Sequence, residues 1–406
     1  MEEHSVATSS MDYVTSWLQQ HVMMLHEQRN SLFAGLFVVL ALLSSIWRAI
    51  GLFVSKKYAV TILKDNPGSG VQKTAILSRP DKDLGPWCMG QIEPLRDLDW
   101  KRTKPERIYK FNDTYHLTMG LRNTTINTIV HMDQQYLERI AEREKIITKY
   151  PGALDCLPSG RHMVDELYTY LVTEYLPRRF PTMFRLSTSS SSKVLHNLVT
   201  AKDLPLNPPD DVQQTLHLIA LNVDEDFLML LPAPDGEGYS LQAFVWCYPV
   251  GFDPQNKKGM KLREAHAPVP AYKQVLETSM DRYFARLRPG KVVERVNWAV
   301  ATNSSLCERG EYHLYSDDQV STTTEIDLDD TWVRCELQTL FALPGSGGRI
   351  LSVHLYLYPI KEIKEVGLAE DMCRAIDGYG KGNAGGFSRY KRVPVWGEQV
   401  KEFLRN

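Results

Sequence analysis

His266 lies in the segment His266-Ala267-Pro268-Val269-Pro270-Ala271-Tyr272. Two prolines remove backbone donors and restrict φ, so they would fix the direction of the imidazole just before a helix. An imidazole held towards an apolar pocket is what a haem iron needs as an axial ligand, although a lone histidine is more often structural. Two other stretches carry polar side chains inside apolar runs: Arg295, Asn297 and Trp298 in one, Glu336, Gln338 and Thr339 in the other. Side chains alternate along a strand, so Arg295 shares a face with Asn297, and Glu336 with Gln338. A polar face on core strands either lines a ligand pocket or faces water.

Other patterns carry less. Gly380-Lys381-Gly382-Asn383-Ala384-Gly385 fits G-x-G-x-x-G but follows a helix-like stretch, and a dinucleotide site needs a strand before it. Asp224-Glu225-Asp226 and Asp327-Leu328-Asp329 fit the metal-binding D-x-D of glycosyltransferases, a frequent triplet. Cys88-Met89-Gly90 resembles a thiolate haem loop without the Phe-x-x-Gly that should precede it. Six scattered cysteines form neither a zinc pattern nor a disulfide framework, which agrees with reduced thiols in the cytosol.

The elements that must position these residues change character along the chain. Residues 127–150 read as a helix with a charged outer face (Glu138, Arg139, Glu142, Arg143, Glu144, Lys145), ending before Pro151. Residues 161–176 read as a second helix ended by Pro177, and the Ser- and Pro-rich stretch 187–212 as a surface loop. From there the pattern turns to strands. Phe227–Leu231 and Tyr239–Tyr248 flank a Pro/Gly turn cluster and predict a hairpin. An irregular excursion follows, with a helix over Ala271–Leu287. Three more strands are predicted at Val292–Ala301, Thr331–Ala342 and Arg349–Tyr358. In the last, Leu351, Val353, Leu355 and Leu357 face one way, and His354, Tyr356 and Tyr358 the other. Residues 366–406 read as one short helix and a Gly-rich basic tail. Two strands, a helical excursion and three strands is the order of a PAS-like domain. The expected fold is therefore α+β: a five-stranded antiparallel sheet with helices on one face, and a small cofactor between sheet and excursion.

The whole chain has 406 residues, with 47 basic and 49 acidic side chains, so no electrostatic case for nucleic-acid binding exists. At 43% hydrophobic it buries a sizeable core. A mean hydropathy of −0.30 conceals an apolar run, Leu32–Val54, long enough as a helix to cross a bilayer core of about 30 Å. Arg29 is the only Lys or Arg before the run; Arg48, Lys56, Lys57 and Lys64 end or follow it. The positive-inside rule then puts the large C-terminal part in the cytosol. The division expected is a short lumenal or exterior N-terminus (1–30), a transmembrane helix (31–54), a linker (55–104), a main domain (105–375, with a PAS-like core at about 220–360) and a tail (376–406). The localisation expected is a single-pass membrane protein of the endoplasmic reticulum.

An ordered set of segments resembles the haem-dependent oxidative N-demethylase family. It runs through Thr118-Met119-Gly120-Leu121 with Asp133 and Tyr136, Tyr175-Leu176-Pro177-Arg178-Arg179-Phe180-Pro181, Glu225-Asp226-Phe227, and His266 to Tyr272. It continues with Asp281-Arg282-Tyr283-Phe284, Arg295-Val296-Asn297-Trp298, and Glu336-Leu337-Gln338-Thr339-Leu340 with Leu343-Pro344. The resemblance implies a PAS-like fold binding haem b, with His266 as the iron ligand. It implies an oxygenase that oxidises a methyl on an amine nitrogen, or hydroxylates a small substrate. Arg295, Asn297 and Trp298 would help to hold the cofactor, and Glu336 and Gln338 would serve the catalytic side. Electrons would come from NAD(P)H through a separate reductase, since the chain has no flavin or iron–sulfur motif. The family usually has an arginine where Leu337 stands, a loss that would bear on substrate choice or propionate contacts. The membrane anchor resembles the eukaryotic, particularly fungal, members. Two rival readings remain at this level: a non-catalytic haem or ligand sensor, and a membrane-bound glycosyltransferase using a D-x-D.

Overall fold

The computed structural model describes residues 90–187, 193–310, 312–315, 318–319 and 325–406. The expected transmembrane helix at 31–54 and Cys88 lie outside the described residues; among those described, no helix is long and apolar enough to cross a membrane.

The strands are β1 (Arg122–Thr124), β2 (Leu154–Cys156), β3 (Phe184–Leu186), β4 (Val194–Asn197), β5 (Lys202–Pro205), β6 (Asp226–Pro232), β7 (Tyr239–Val245), β8 (Val292–Ala301), β9 (Trp332–Ala342) and β10 (Arg349–Pro359). The five longest form one antiparallel sheet in the order β8-β9-β10-β6-β7, extended by the short β1 beside β8 and β2 beside β7. The hairpin thus joins the sheet through β6, which pairs with the last strand β10, and the first strand after the excursion, β8, lies on the far side of β9. These are the five strands the alternation predicted, and the boundaries of β8, β9 and β10 agree to within a residue. β-branched and aromatic residues fill them because a half-buried pleated surface packs such side chains well.

The helices are α1 (Tyr136–Lys149), α2 (Arg161–Tyr170), α3 (Val212–Ala220), α4 (Leu262–Ala265), α5 (Tyr272–Val275), α6 (Glu277–Arg286), α7 (Ile360–Glu365), α8 (Ala369–Gly378), α9 (Phe387–Tyr390) and α10 (Val393–Arg405). They cover both faces of the sheet rather than one. α1, α2 and α3 lie against Phe227, Met229, Phe341 and Ile350 of one face, where α8 and α10 also pack with Val333, Cys335, Leu337 and Tyr356, while the segment carrying α4, α5 and α6 lies across the other face, that of Glu336, Gln338 and Leu340.

Several local readings change. α1 starts at Tyr136, because residues 126–128 form a 3-10 turn capped by Thr125. Its face is not uniformly outward: Arg139 and Arg143, one turn apart, are buried. Arg139 Nε donates to Asp224 Oδ2 (3.0 Å), and Arg143 Nη1 to Asp226 Oδ1 (3.0 Å). Paired charges of this kind tolerate burial because each loses water but gains a partner. The second helix does not end at Pro177. A π turn at Leu171–Tyr175 carries it into a last turn, Leu176–Arg179, where the proline occupies a position that needs no N–H partner. The Ser/Pro-rich stretch is not all loop, since β4 and β5 pair with β3 in a small second sheet. The C-terminal stretch holds three helices, and Trp396, Val400 and Leu404 of α10 are buried in the main core. Residues 90–104, expected as the end of the linker, also pack down: Leu95 and Leu98 reach the core and Trp100 meets Tyr136 edge-on.

Candidate functional site

The register across β8, β9 and β10 decides which side chains share a face. Arg295 lies opposite Gln338, Asn297 opposite Glu336, and Gln338 opposite Val353. All five, with Leu351, line a cavity of about 360 Å³ between this face of the sheet and the excursion carrying α4, α5 and α6. Its size is that of an ordinary small-molecule pocket, and much of its wall is aliphatic or aromatic, including Leu228, Leu241, Met260 and Val269.

His266 lines the same cavity, just past the end of α4. Its Nδ1 is 2.8 Å from the carbonyl oxygen of Leu262. A carbonyl can only accept, so Nδ1 carries the proton in this bond. Burial, together with the nearby Arg295 and Lys257 cations, lowers the imidazole pKa and favours the neutral ring. Nε2 is then the nitrogen with a free lone pair. A backbone carbonyl that fixes the tautomer in this way is the usual support of a metal-ligating histidine. The ring also stacks on Tyr272, with centroids 5.1 Å apart and planes 16° from parallel.

The polar floor is a short network. Gln338 Nε2 donates to Glu336 Oε2 (2.9 Å), as does Asn297 Nδ2 (3.3 Å). Lys391 Nζ donates to Asn297 Oδ1 (3.3 Å) and to the Trp298 carbonyl (3.2 Å). Burial lowers the Lys391 ammonium to about 8, against the pull of Glu336. Burial likewise lowers the Arg295 guanidinium, whose enclosed Nε has no hydrogen-bond partner. Two desolvated cations against one carboxylate, Glu336, leave an excess positive charge that suits an anion from outside the chain.

Five of the six sequence-predicted residues meet here: His266, Arg295, Asn297, Glu336 and Gln338. Trp298 does not, and that assignment is corrected. It is one residue out of phase with Arg295 and Asn297, so it points to the other face, where its ring contacts Phe111 (5.2 Å) and Tyr379 (5.1 Å). Leu337, one residue out of phase with Glu336 and Gln338, also turns away from the cavity and is buried on the other face. The change from the family's arginine therefore does not remove a cation from the pocket. Neither D-x-D is an open metal site. Asp224 and Asp226 are buried against Arg139 and Arg143, and Asp327 accepts from the Asp329 amide (2.9 Å). The G-x-G-x-x-G stretch is a close-approach loop. Gly382 has φ +107° and bridges to Tyr115, whose carbonyl oxygen would lie 2.0 Å from an added Cβ.

Sequence reasoning missed Lys391, His313, Tyr115 and Tyr390, all of which line the cavity. His313 stacks on Tyr390 (4.1 Å, 6°), and burial, with Lys391 beside it, lowers its pKa to about 3. Tyr115 stacks on Phe387 (4.2 Å) and so belongs to the same C-terminal wrap. No local pattern marks these residues, because they reach the cavity only through chain segments far from the strands.

A neutral imidazole with an open Nε2, two buried cations against one carboxylate, Glu336, and an apolar wall suit a flat, apolar metal macrocycle bearing carboxylates. His266 would hold its iron, and Arg295 and Lys391 would face its propionates. No curated protein matches the chain. The family model for haem-dependent oxidative N-demethylase, alpha subunit-like, matches residues 120–401, which span the sheet, the excursion and nearly all of the cavity wall. With more than half of its length matched, the chain belongs to the haem-dependent oxidative N-demethylase, alpha subunit-like family.

Proposed function

We propose that the protein is a haem-dependent oxygenase that removes a methyl group from an amine nitrogen, using oxygen and two electrons from a separate NAD(P)H-linked reductase. The observation that carries this reading is His266, tautomer-fixed by the Leu262 carbonyl, in a cavity that also holds the buried cations Arg295 and Lys391 against the one carboxylate of Glu336. In the balanced reaction, one N-methylated amine, one dioxygen, two electrons and two protons give the demethylated amine, formaldehyde and water. One C–H bond is oxidised to a carbinolamine, which loses formaldehyde as its C–N bond breaks. Haem, when bound, supplies the oxidising chemistry. The chain's own residues do the rest. The Glu336 carboxylate, oriented by Asn297 and Gln338, offers an anionic partner to an amine cation. Lys391, lowered to about 8, can hold or release a proton near neutral pH. The apolar walls select the substrate's carbon skeleton and limit water.

The PAS-like reading rests on the strand order and on the cavity between sheet and excursion. The single-pass anchor at 31–54, its cytosolic body and its place in the endoplasmic reticulum rest on the apolar run and on the charge asymmetry around it. A shared membrane would raise the encounter rate with a membrane-bound reductase.

The test is turnover. Haem-loaded protein with a chemical reductant and a panel of tertiary and secondary methylamines should consume oxygen and release formaldehyde in equal amounts. Glu336→Gln should raise KM for the amine by at least about tenfold, the scale of one charge-assisted hydrogen bond. Haem binding without oxygen consumption on any amine would instead identify a sensor.

A further inference from the structure

We propose that His131, Glu225 and His354 form a site for one divalent transition-metal ion of the zinc type, on the face of the sheet opposite the cavity. Glu225 stands at the entry to β6, His354 is in the middle of β10, and His131 lies on the segment leading from the 3-10 turn to α1. One ligand atom from each falls within 4.8 Å of the others, and among the described residues this is the group of three that meets such a spacing. His354 Nδ1 is 3.0 Å from Glu225 Oε1, and His131 Nδ1 is 3.4 Å from the same oxygen. Ligands bound tetrahedrally at about 2.0–2.2 Å stand roughly 3.3–3.6 Å from one another, so both spacings from Glu225 are already near those around a bound ion.

The electrostatics point the same way. The neighbouring carboxylates have permanent cations: Asp224 has Arg139, and Asp226 has Arg143. Glu225, equally buried, faces two imidazoles instead. His131 Nδ1 is enclosed by protein and has no hydrogen-bond partner. A buried carboxylate and an unpartnered ring nitrogen in one spot are what a cation between them would satisfy.

The surroundings hold the donors in place. Ser352 Oγ donates to the Ile129 carbonyl (2.7 Å), and Thr339 Oγ1 to the Thr128 carbonyl (3.2 Å). These bonds fix the approach to His131, whose own amide donates to Glu225 Oε1 (2.7 Å). Three protein ligands leave one position for water. The His131 side chain, 18% exposed, marks the side from which an ion would enter. The ion would clasp the lead-in to α1 onto β6 and β10.

The experiment uses the full chain, stripped with a chelator and titrated with zinc chloride by calorimetry, with thermal unfolding followed in parallel. The wild type should take up one equivalent that raises Tm. His131→Ala changes the least buried ligand; it should keep the metal-free Tm within a few degrees and bind that equivalent at least tenfold more weakly. Glu225→Gln, close in shape, should lose it as well. Any zinc held by the free cysteines would persist in all three proteins. Absence of a zinc-dependent rise in wild-type Tm, or an unchanged equivalent in folded His131→Ala, would overturn the proposal.

Discussion

Lys391 shows how one side chain connects stability to the chemistry of the cavity. Its folded pKa of about 8 lies below the unfolded value of 10.5. Between those values the unfolded chain binds more protons, so this group adds stability as pH rises from about 8 to 10.5 and costs stability below about 8. Lys391→Met in haem-free protein should therefore raise stability at pH 7 by about 1–2 kcal/mol, with the gain shrinking towards pH 10. Urea unfolding at pH 7 and pH 10 measures the difference. The same variant should bind haem more weakly, because a charge facing the propionates is gone. In the wild type the Lys391 contribution to haem affinity should decline as pH passes through about 8. His266 has the opposite dependence. Burial keeps it neutral to a lower pH than a free imidazole, so its ligand nitrogen stays available where a free imidazole would be protonated.

At the scale of elements, strand parity carries most of what the sequence could say about the site. β8, β9 and β10 were legible because their β-branched and aromatic alternation is a local signal. Period 2 alone places Arg295 with Asn297 and Glu336 with Gln338, and the register joins the two pairs. The same parity puts Trp298 on the opposite face; adjacency within a motif was the weaker guide. β3, β4 and β5 were illegible because short strands in Ser- and Pro-rich sequence depend on their partners, not on their own propensity. Lys391 and His313 were illegible for a different reason. Lys391 follows the short α9 and His313 lies in a polar insertion, and only tertiary wrapping brings either to β8 and β9. The join that holds this wrap is the loop around Gly382, where Leu117 and Asn383 exchange hydrogen bonds (2.7 and 3.2 Å). Gly382→Ala would meet both a positive φ and the Tyr115 carbonyl. It should destabilise the protein by about 2–4 kcal/mol and loosen Tyr115 at the cavity wall. Chemical denaturation measures the first effect, and the second should appear as weaker haem binding.

For the whole molecule, the C-terminal helices are structural parts of the domain and not an appendage. Trp396 is 1% exposed, and Val400 and Leu404 are buried with it against α8 and the sheet. Deleting residues 387–406 removes these side chains together with Phe387, Tyr390 and Lys391 from the cavity. Each large apolar side chain lost from a core costs roughly 2–5 kcal/mol, so the sum matches or exceeds the usual 5–15 kcal/mol stability of a domain. The truncated chain should show no cooperative thermal transition. A transition within a few degrees of the full chain's would mean that the tail is dispensable.

The central claim is that His266 holds haem in the cavity between the excursion and the β8–β9–β10 face. Its most direct test is the absorption spectrum of the purified protein reconstituted with haem, beside His266→Ala. The wild type should show a Soret band of a histidine-ligated haem at one equivalent. The variant should show a shifted, weakened band that exogenous imidazole restores. No Soret band in the wild type, or an unchanged spectrum in the variant, would contradict the account.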